Sequence, residues 1–196
     1  MLLTKRQKCR RLIQMHKEIW TIGRILQWTE QYFQSKEMDT PRLDGEVLLS
    51  HVLGKDRIYL YTHYDQPLIQ EELDAFRPLV QQRAKGYSVA SITGQKDFMG
   101  LTFKVNDKVL IPRPDTETLI EHVLDTYPED CNMRILDVCT GPGTILLSLL
   151  HYLPNAVGVG LDISTDALPL ARENADSFNL TERVEFKESD MFSALR

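Results

Sequence analysis

The most constraining feature of this sequence is an apolar stretch that runs directly into a glycine-containing turn. Residues 134–138 predict a short buried strand, and residues 143–153 predict a helix. The turn between them reads Cys139-Thr140-Gly141-Pro142-Gly143. Glycine lets a backbone approach a ligand closely, and a helix N-terminus offers unpaired N–H groups. The stretch therefore predicts a strand–turn–helix unit that binds a ligand.

Two further strands are predicted after this unit. Residues 156–162 and 184–189 are short apolar runs, separated by a helical pattern that Ser164 can cap. Pro169 lies about five positions into that helix, where we expect a distorted first turn. Strands separated by crossover helices predict a parallel sheet with right-handed connections. We therefore expect an α/β fold in this part of the chain.

Three aspartates end the three predicted strands, namely Asp137, Asp162 and Asp190. Parallel strands bind ligands at their carboxyl ends, so these carboxylates should surround one crevice. They suit a ligand with ammonium and sulfonium cations, and they suit a pyrophosphate badly. Asp162 follows Gly141 by 21 residues, where an acid accepts hydrogen bonds from ribose hydroxyls. Asp190 would lie beside the base of an adenosine.

Other readings of the turn fit less well. A dinucleotide site needs a third glycine after Gly141 and Gly143, and residue 146 is a leucine instead. A P-loop needs Gly-Lys-Ser/Thr, and this motif does not occur in the sequence. A tight turn that binds no ligand is the remaining alternative, and the two acids Asp162 and Asp190 disfavour it. The cysteines and histidines are scattered, with no Cys-x-x-Cys or His-x-x-x-His pair, so we predict no metal site.

The first half of the chain follows a helical period. Residues 21–88 predict a small helical domain, in which Thr21 and Thr40 can begin helices. The second helix is expected to bury Leu43, Val47 and Leu48.

After residue 88, the helical period gives way to alternating apolar and polar residues, which is typical of strands. Residues 89–112 predict a β-hairpin, with a turn near Gly100, that links this domain to residues 113–196.

Charge and composition indicate the expected cellular compartment and the kinds of partner that the chain could bind. No apolar run approaches the ~20 residues of a membrane helix, and the cysteine usage fits a reducing cytoplasm. Residues 1–20 form a basic extension, since the first 17 residues hold six basic and no acidic side chains. The net charge of −5 therefore leaves −11 for the rest. The extension could contact RNA or remain solvated, while the acidic remainder argues against a large nucleic-acid interface.

Several segments resemble the HemK/PrmC-type protein-(glutamine-N5) methyltransferases, the family that methylates peptide chain release factors. The resemblance covers roughly residues 21–196. The segments that carry it are Pro41-Arg42-Leu43-Asp44 with Glu46, Ile111-Pro112-Arg113-Pro114-Asp115-Thr116-Glu117, Leu136 to Gly143, Asp166-Ala167-Leu168 with Ala171-Arg172 and Asn174-Ala175, and Ser189-Asp190-Met191-Phe192. It implies a class I fold dependent on S-adenosylmethionine, a Rossmann-like parallel sheet.

The resemblance also implies a role for each site residue. The turn Cys139-Thr140-Gly141-Pro142-Gly143 would hold the methionine part of S-adenosylmethionine, with Asp137 as a third carboxylate nearby. Asp162 would bind the ribose, and Asp190 with Met191 would border the adenine. The helical domain would contact the release factor. Cys139 and Pro142 depart from the family, which often has Gly and Ser or Thr there.

The family's Asn-Pro-Pro-Tyr motif does not occur in the 196 residues. That motif aligns the glutamine amide, a poor nucleophile whose reaction depends on positioning. We therefore assign no catalytic residue and expect this chain alone to be inactive. We also expect a truncated sheet with an open edge, so that the chain either self-associates or is loosely packed in residues 131–196.

Two alternative functions stay open. One is a methyltransferase on the same scaffold that acts on a ribosomal protein or on adenine-N6 of nucleic acid. The helical domain and residues 111–117 favour release factors over these substrates. The other is a non-catalytic module that binds a release factor through the helical domain.

Overall fold

The computed structural model of the chain describes residues 19–195, which form two compact units that divide between Val89 and Ala90. The predicted basic extension therefore lies almost wholly outside the described residues. Across residues 19–195, no helix is both long enough and apolar enough to cross a membrane.

Within residues 19–89, the first unit contains four helices. They are α1 (Ile22–Gln34), α2 (Pro41–Leu53), α3 (Arg57–Thr62) and α4 (Gln70–Ala84). Helix α1 begins at its predicted cap, because Thr21 Oγ1 accepts a hydrogen bond from the Arg24 N–H at 3.3 Å. Helix α2 begins with Pro41 and ends at Gly54, whose left-handed φ of 60° stops the helix.

Helix α2 does not bury all the residues that its apolar pattern predicted. Leu48 is buried, but Leu43 is 41% exposed and Val47 is half-buried, so this prediction was partly wrong. Two acidic residues, Asp44 and Glu46, are buried instead. Each carboxylate meets donors inside the unit, and these offset the cost of removing its charge from water.

The Asp44 carboxylate connects the start of α2 to the end of α4. It accepts hydrogen bonds from Thr40 Oγ1 at 2.8 Å and from Arg83 Nε at 2.7 Å. Arg83 lies 39 residues away in sequence. The contact therefore joins the second and fourth helices of the unit.

The Glu46 carboxylate connects α2 to α3. It accepts hydrogen bonds from Arg42 Nε at 2.6 Å, Arg57 Nη2 at 2.7 Å and the Tyr61 hydroxyl at 2.6 Å, and its side chain is 1% exposed. Burial raises the pKa of Glu46, but the hydrogen bonds from Tyr61, Arg42 and Arg57 lower it by more. The pKa therefore lies below the ordinary glutamate value, and the carboxylate stays charged.

The second unit begins with a hairpin and continues as alternating strands and helices. Its elements are α5 (Val89–Thr93), which starts at the boundary, β1 (Gln95–Phe98), β2 (Leu101–Lys104), α6 (Glu117–Thr126), β3 (Arg134–Val138), α7 (Thr144–Tyr152), β4 (Val157–Asp162), α8 (Ala167–Ser177) and β5 (Val184–Glu188). Strands β3, β4 and β5 form a parallel sheet in that order, as the sequence predicted.

The hairpin of β1 and β2 packs into the core of the second unit. Phe98 and Phe103 are buried, and the Phe103 ring meets Phe178 edge-on with centroids 4.9 Å apart. Such aromatic pairs add stability beyond the area that they bury. The hairpin is therefore part of the same core as α7 and α8.

The tip of this hairpin is held on both sides. Met99 and Gly100 have φ values of 49° and 71°, the left-handed pair typical of two-residue hairpin turns. The Met99 N–H donates to Glu117 Oε1 at 2.8 Å, and the Tyr152 hydroxyl donates to the Met99 carbonyl at 2.7 Å. The tip is therefore fixed to α6 and α7.

The two faces of the parallel sheet differ in how completely other residues cover them. A Cβ atom on Gly158 would overlap the Leu146 side chain of α7, so this glycine lets the helix approach the sheet. On the opposite face, Leu136 and Val157 are each 44% exposed. The described residues thus cover the α7 side of the sheet more completely than the other side.

The first turn of helix α8 is not distorted by Pro169, contrary to the expectation from the sequence. The Ala167 N–H donates to Ser164 Oγ at 3.2 Å, so Ser164 supports the start of the helix, but the cap position is Asp166 and not the predicted Ser164. The α-helix itself begins only at Ala167, so Pro169 lies in its first turn. A first-turn residue needs no hydrogen-bond donor, and the expectation of a distorted turn was therefore wrong.

We expect Glu46→Gln to lower the free energy of unfolding of the helical unit by roughly 2–3 kcal/mol, because it removes the charge that Arg57 and Arg42 face. The wild-type advantage should be complete above pH ~4.3, the unfolded glutamate pKa, and should disappear as the pH falls through the lower folded pKa. Urea unfolding followed by tryptophan fluorescence measures this, since both tryptophans, Trp20 and Trp28, lie in the first unit.

The matched control for this experiment is Glu71→Gln, the same change at an exposed position of α4. An equal loss of stability in the control would contradict the role of Glu46. So would a wild-type advantage that stays constant below pH 4.

Candidate functional site

The predicted site residues lie at the carboxyl ends of the parallel strands. Strand β3 ends at Val138 and leads through the turn Cys139-Thr140-Gly141-Pro142-Gly143 into α7. Strand β4 ends at Asp162, and its partner in β5 is Glu188, the last residue of that strand. One edge of the sheet therefore carries the turn and all three predicted aspartates.

Three residues of the turn adopt left-handed backbone conformations. The φ values are 63° at Cys139, 57° at Gly141 and 80° at Gly143. A Cβ atom added to Gly141 would meet nothing within 4 Å, so open space lies beside its Cα atom. A Cβ atom on Gly143 would lie 2.9 Å from the Leu147 side chain. Gly141 thus leaves room for a ligand, and Gly143 lets the turn pack on α7.

The Asp162 carboxylate anchors the turn to β4. Its Oδ2 accepts a hydrogen bond from the Gly141 N–H at 2.8 Å, and its Oδ1 accepts one from the Ser164 N–H at 2.9 Å. An ionised carboxylate has about four lone-pair sites, so each oxygen can accept a further bond. The position predicted for ribose binding therefore also holds the turn in place.

The Asp137 carboxylate supports the turn from β3. Thr140 Oγ1 donates to its Oδ2 at 2.7 Å. Burial raises the pKa of Asp137, hydrogen bonds from Thr140 and the Leu146 N–H lower it, and the nearby Asp162 carboxylate raises it further, so the pKa lies above the ordinary value. A cation placed in this crevice would favour the charged form of Asp137 and be attracted to it.

Asp190 and Met191 follow the end of β5 and are exposed. The Ser189 hydroxyl holds this segment, because it donates to the Met191 carbonyl at 2.9 Å and accepts from the Ala194 N–H at 3.0 Å. The Ser189 N–H donates to the Asp162 backbone carbonyl at 2.9 Å. The segment that carries Asp190 is therefore attached to β4 next to Asp162.

The charged side chains at the crevice are acidic. The turn contains no basic side chain, and the carboxylates of Asp137 and Asp162 both accept hydrogen bonds from its residues. Within residues 19–195, no group of three or more His, Cys, Asp and Glu side chains could hold a metal ion. The arrangement thus favours an organic cation over an anionic phosphate group.

The sequence named Asn174 only within a segment that resembles the family and gave it no role, but the structure places it against the turn. Asn174 on α8 is fully buried, and its Nδ2 donates to the Pro142 carbonyl at 2.9 Å. The available signal was a single amide side chain within the apolar stripe of a predicted helix. That signal does not identify its partner, which lies 32 residues away.

Comparison with known proteins identifies two domains in the chain. Residues 24–94 match the family described as PrmC N-terminal domain, and residues 129–196 match a family described as methyltransferase domain. The first match falls in the helical part, and the second contains the strands, turn and aspartates of the candidate site. The matches confirm the predicted α/β methyltransferase fold preceded by a helical domain.

Curated relatives match most of the chain. The chain is 40% identical to the release factor glutamine methyltransferase of Chlorobaculum tepidum, across 91% of the chain and 62% of that protein. It is 42% identical to the protein of the same name from Geobacter sulfurreducens, across 91% of the chain and 61% of that protein. The chain therefore spans about three-fifths of the length of these relatives.

We expect Cys139→Gly to stabilise the second unit by about 0.5–1 kcal/mol. A left-handed φ costs energy for any residue with a Cβ atom, and glycine avoids this cost. Glycine also raises the entropy of the unfolded chain, which offsets part of the gain in stability. Native-state hydrogen exchange of the β4 amides measures the stability of this unit. Cys139→Ala is the control, since it keeps the Cβ atom. An equal gain in the alanine variant would show that backbone conformation is not the cause.

Proposed function

We propose that this relative of the release factor glutamine methyltransferases binds S-adenosylmethionine at the turn between β3 and α7. The proposed binding residues are Asp137, Cys139, Thr140, Gly141, Pro142, Gly143, Asp162, Asp190 and Met191. When bound, S-adenosylmethionine supplies an electrophilic methyl group on a sulfonium ion. The chain's own contribution is to hold and orient this cofactor at the edge of the sheet.

The observation that carries this proposal is a pair of carboxylates that accept hydrogen bonds from neighbouring residues of the turn, beside an open glycine. Asp137 and Asp162 flank the turn, Gly141 leaves its Cα side open, and the turn has no basic side chain. S-adenosylmethionine brings an ammonium and a sulfonium cation, which such a crevice attracts. A pyrophosphate would be repelled at the same place.

Each part of the site has a proposed role. The turn residues hold the methionine part through the backbone, and the free lone pairs of Asp162 accept the ribose hydroxyls. Exposed Asp190 and Met191 border the adenine, at the segment fixed by Ser189. Asp137 keeps the start of α7 and Thr140 in place while its charge favours the cation.

For the whole protein, we propose methylation of the glutamine side-chain amide of a peptide chain release factor in the cytoplasm. The helical domain, proposed as residues 21–88, contacts the release factor. Residues 89–112 are proposed as the hairpin linker, residues 113–196 as the cofactor-binding part, and residues 1–20 as a basic extension. The relatives' name and the match to the PrmC N-terminal domain support this substrate.

We also propose that the 196-residue chain self-associates through its parallel sheet. Leu136 and Val157 expose apolar surface on one face, and exposed apolar or unpaired sheet surface promotes association. Light scattering across a concentration series should show a rising molar mass, and Leu136→Lys should reduce it. A constant monomer mass at all concentrations would contradict self-association.

We expect calorimetry to detect binding of S-adenosylmethionine, and of its product S-adenosylhomocysteine, but not of NAD. Asp162→Asn should weaken binding at least tenfold, because an amide offers one acceptor where the carboxylate supplies two. Asp166→Asn is the matched control, as it makes the same change at an exposed residue paired with Lys108. Binding of NAD, or equal effects of both variants, would contradict the proposed site.

A second measurement uses the exposed Cys139 thiol. In a chain carrying Cys9→Ser and Cys131→Ser, bound S-adenosylhomocysteine should slow alkylation of Cys139 several-fold. Unchanged alkylation at saturating ligand would place the ligand away from the turn.

A further inference from the structure

Asn174 is a fully buried polar residue outside the set assigned to the cofactor. It lies on α8, and its side-chain amide makes three hydrogen bonds. Oδ1 accepts from the Lys104 N–H at 2.8 Å, while Nδ2 donates to the Lys104 carbonyl at 3.1 Å and to the Pro142 carbonyl at 2.9 Å. The acceptor and both donors of the amide are therefore in use.

These three bonds connect three separate parts of the second unit. Lys104 is the last residue of β2 in the hairpin, Pro142 is in the turn, and Asn174 itself is on α8. The hairpin also contacts this helix through the Lys104–Glu173 ion pair at 3.2 Å. That ion pair is exposed and contributes little, so the buried amide is the stronger polar link between hairpin and helix.

The bond to Pro142 fixes one peptide group of the turn. The Pro142 carbonyl and the Gly143 N–H belong to the same planar peptide. The carbonyl accepts from Asn174, and the Gly143 N–H donates to the Thr140 carbonyl at 3.0 Å. Rotation of this peptide would therefore break a hydrogen bond on each of its two sides.

The turn needs such support because its glycines are conformationally free. Gly141 and Gly143 accept many φ values, so their backbone does not select one conformation alone. Asp162 holds the Gly141 N–H from β4, and Asn174 holds the Pro142–Gly143 peptide from α8. A turn fixed in advance binds a ligand with a smaller loss of entropy.

We propose that Asn174 is a positioning residue of the cofactor site, which fixes the Pro142–Gly143 peptide and couples it to the β-hairpin. Its effect on the turn stands independently of any ligand. Its effect on affinity rests on the S-adenosylmethionine site proposed above.

The test uses the 196-residue chain with Asn174→Asp. An aspartate can still accept from the Lys104 N–H, but it loses both donors and turns an oxygen toward the Pro142 carbonyl. Hydrogen exchange without ligand should become at least tenfold faster for the backbone N–H groups of Gly141 and of residues 143–147. Exchange in β4 and β5 should change less than twofold. Calorimetry should show at least tenfold weaker binding of S-adenosylhomocysteine.

The matched control is Asn155→Asp. Asn155 is exposed, and its Nδ2 donates to the Asp130 carbonyl at 3.0 Å, so the same chemical change occurs away from the turn. The control should leave both the exchange of residues 141–147 and the affinity within twofold of the wild type.

Three results would overturn the proposal. They are unchanged exchange in the turn, equally faster exchange throughout the second unit, and unchanged affinity in a wild-type chain that binds the ligand. If Asn174→Asp does not fold, Asn174→Ala is measured in the same way, and failure of both to fold also overturns it by showing a general core role. If the wild type binds no S-adenosylhomocysteine, the proposed function fails, and the exchange data still decide the role of Asn174.

Discussion

The candidate site depends on the hydrogen bond between the Gly141 N–H and the Asp162 carboxylate. This bond joins the turn after β3 to the end of β4, across 21 residues of sequence. The other Asp162 oxygen accepts from Ser164, and its backbone carbonyl accepts from Ser189. One residue thus connects three successive strand ends, so the position of the turn is set by the sheet and not by the loop alone.

The helical unit uses buried charge for a similar purpose. A small helical bundle has only a marginal apolar core, and here Asp44 and Glu46 bring donors from the neighbouring helices into it. Buried pairs of this kind add little net stability compared with apolar packing, yet they are costly to break. They therefore fix which helices pack together more than how tightly they pack.

The parts of the fold that could be predicted from sequence are those encoded by local patterns. The strands, the turn and the helix caps each depend on residues within a few positions. The inward orientation of Asp44 could not be predicted, because its partner Arg83 is 39 residues away. The contacts of Asn174 could not be predicted for the same reason, since Lys104 lies 70 residues away. Pro169 was misjudged because a cap predicts roughly where a helix begins but not its first hydrogen-bonded residue.

The anchored tip of the β-hairpin has a consequence for engineering. Exposed loop tips are usually where proteins accept inserted peptides and are cut by proteases. Here Met99 uses its N–H and its carbonyl to bond Glu117 and Tyr152. Adding a residue would also shift the strand register and turn Phe103 from the core toward solvent. A tag or epitope placed at this tip would therefore disrupt the unit that it was meant to label.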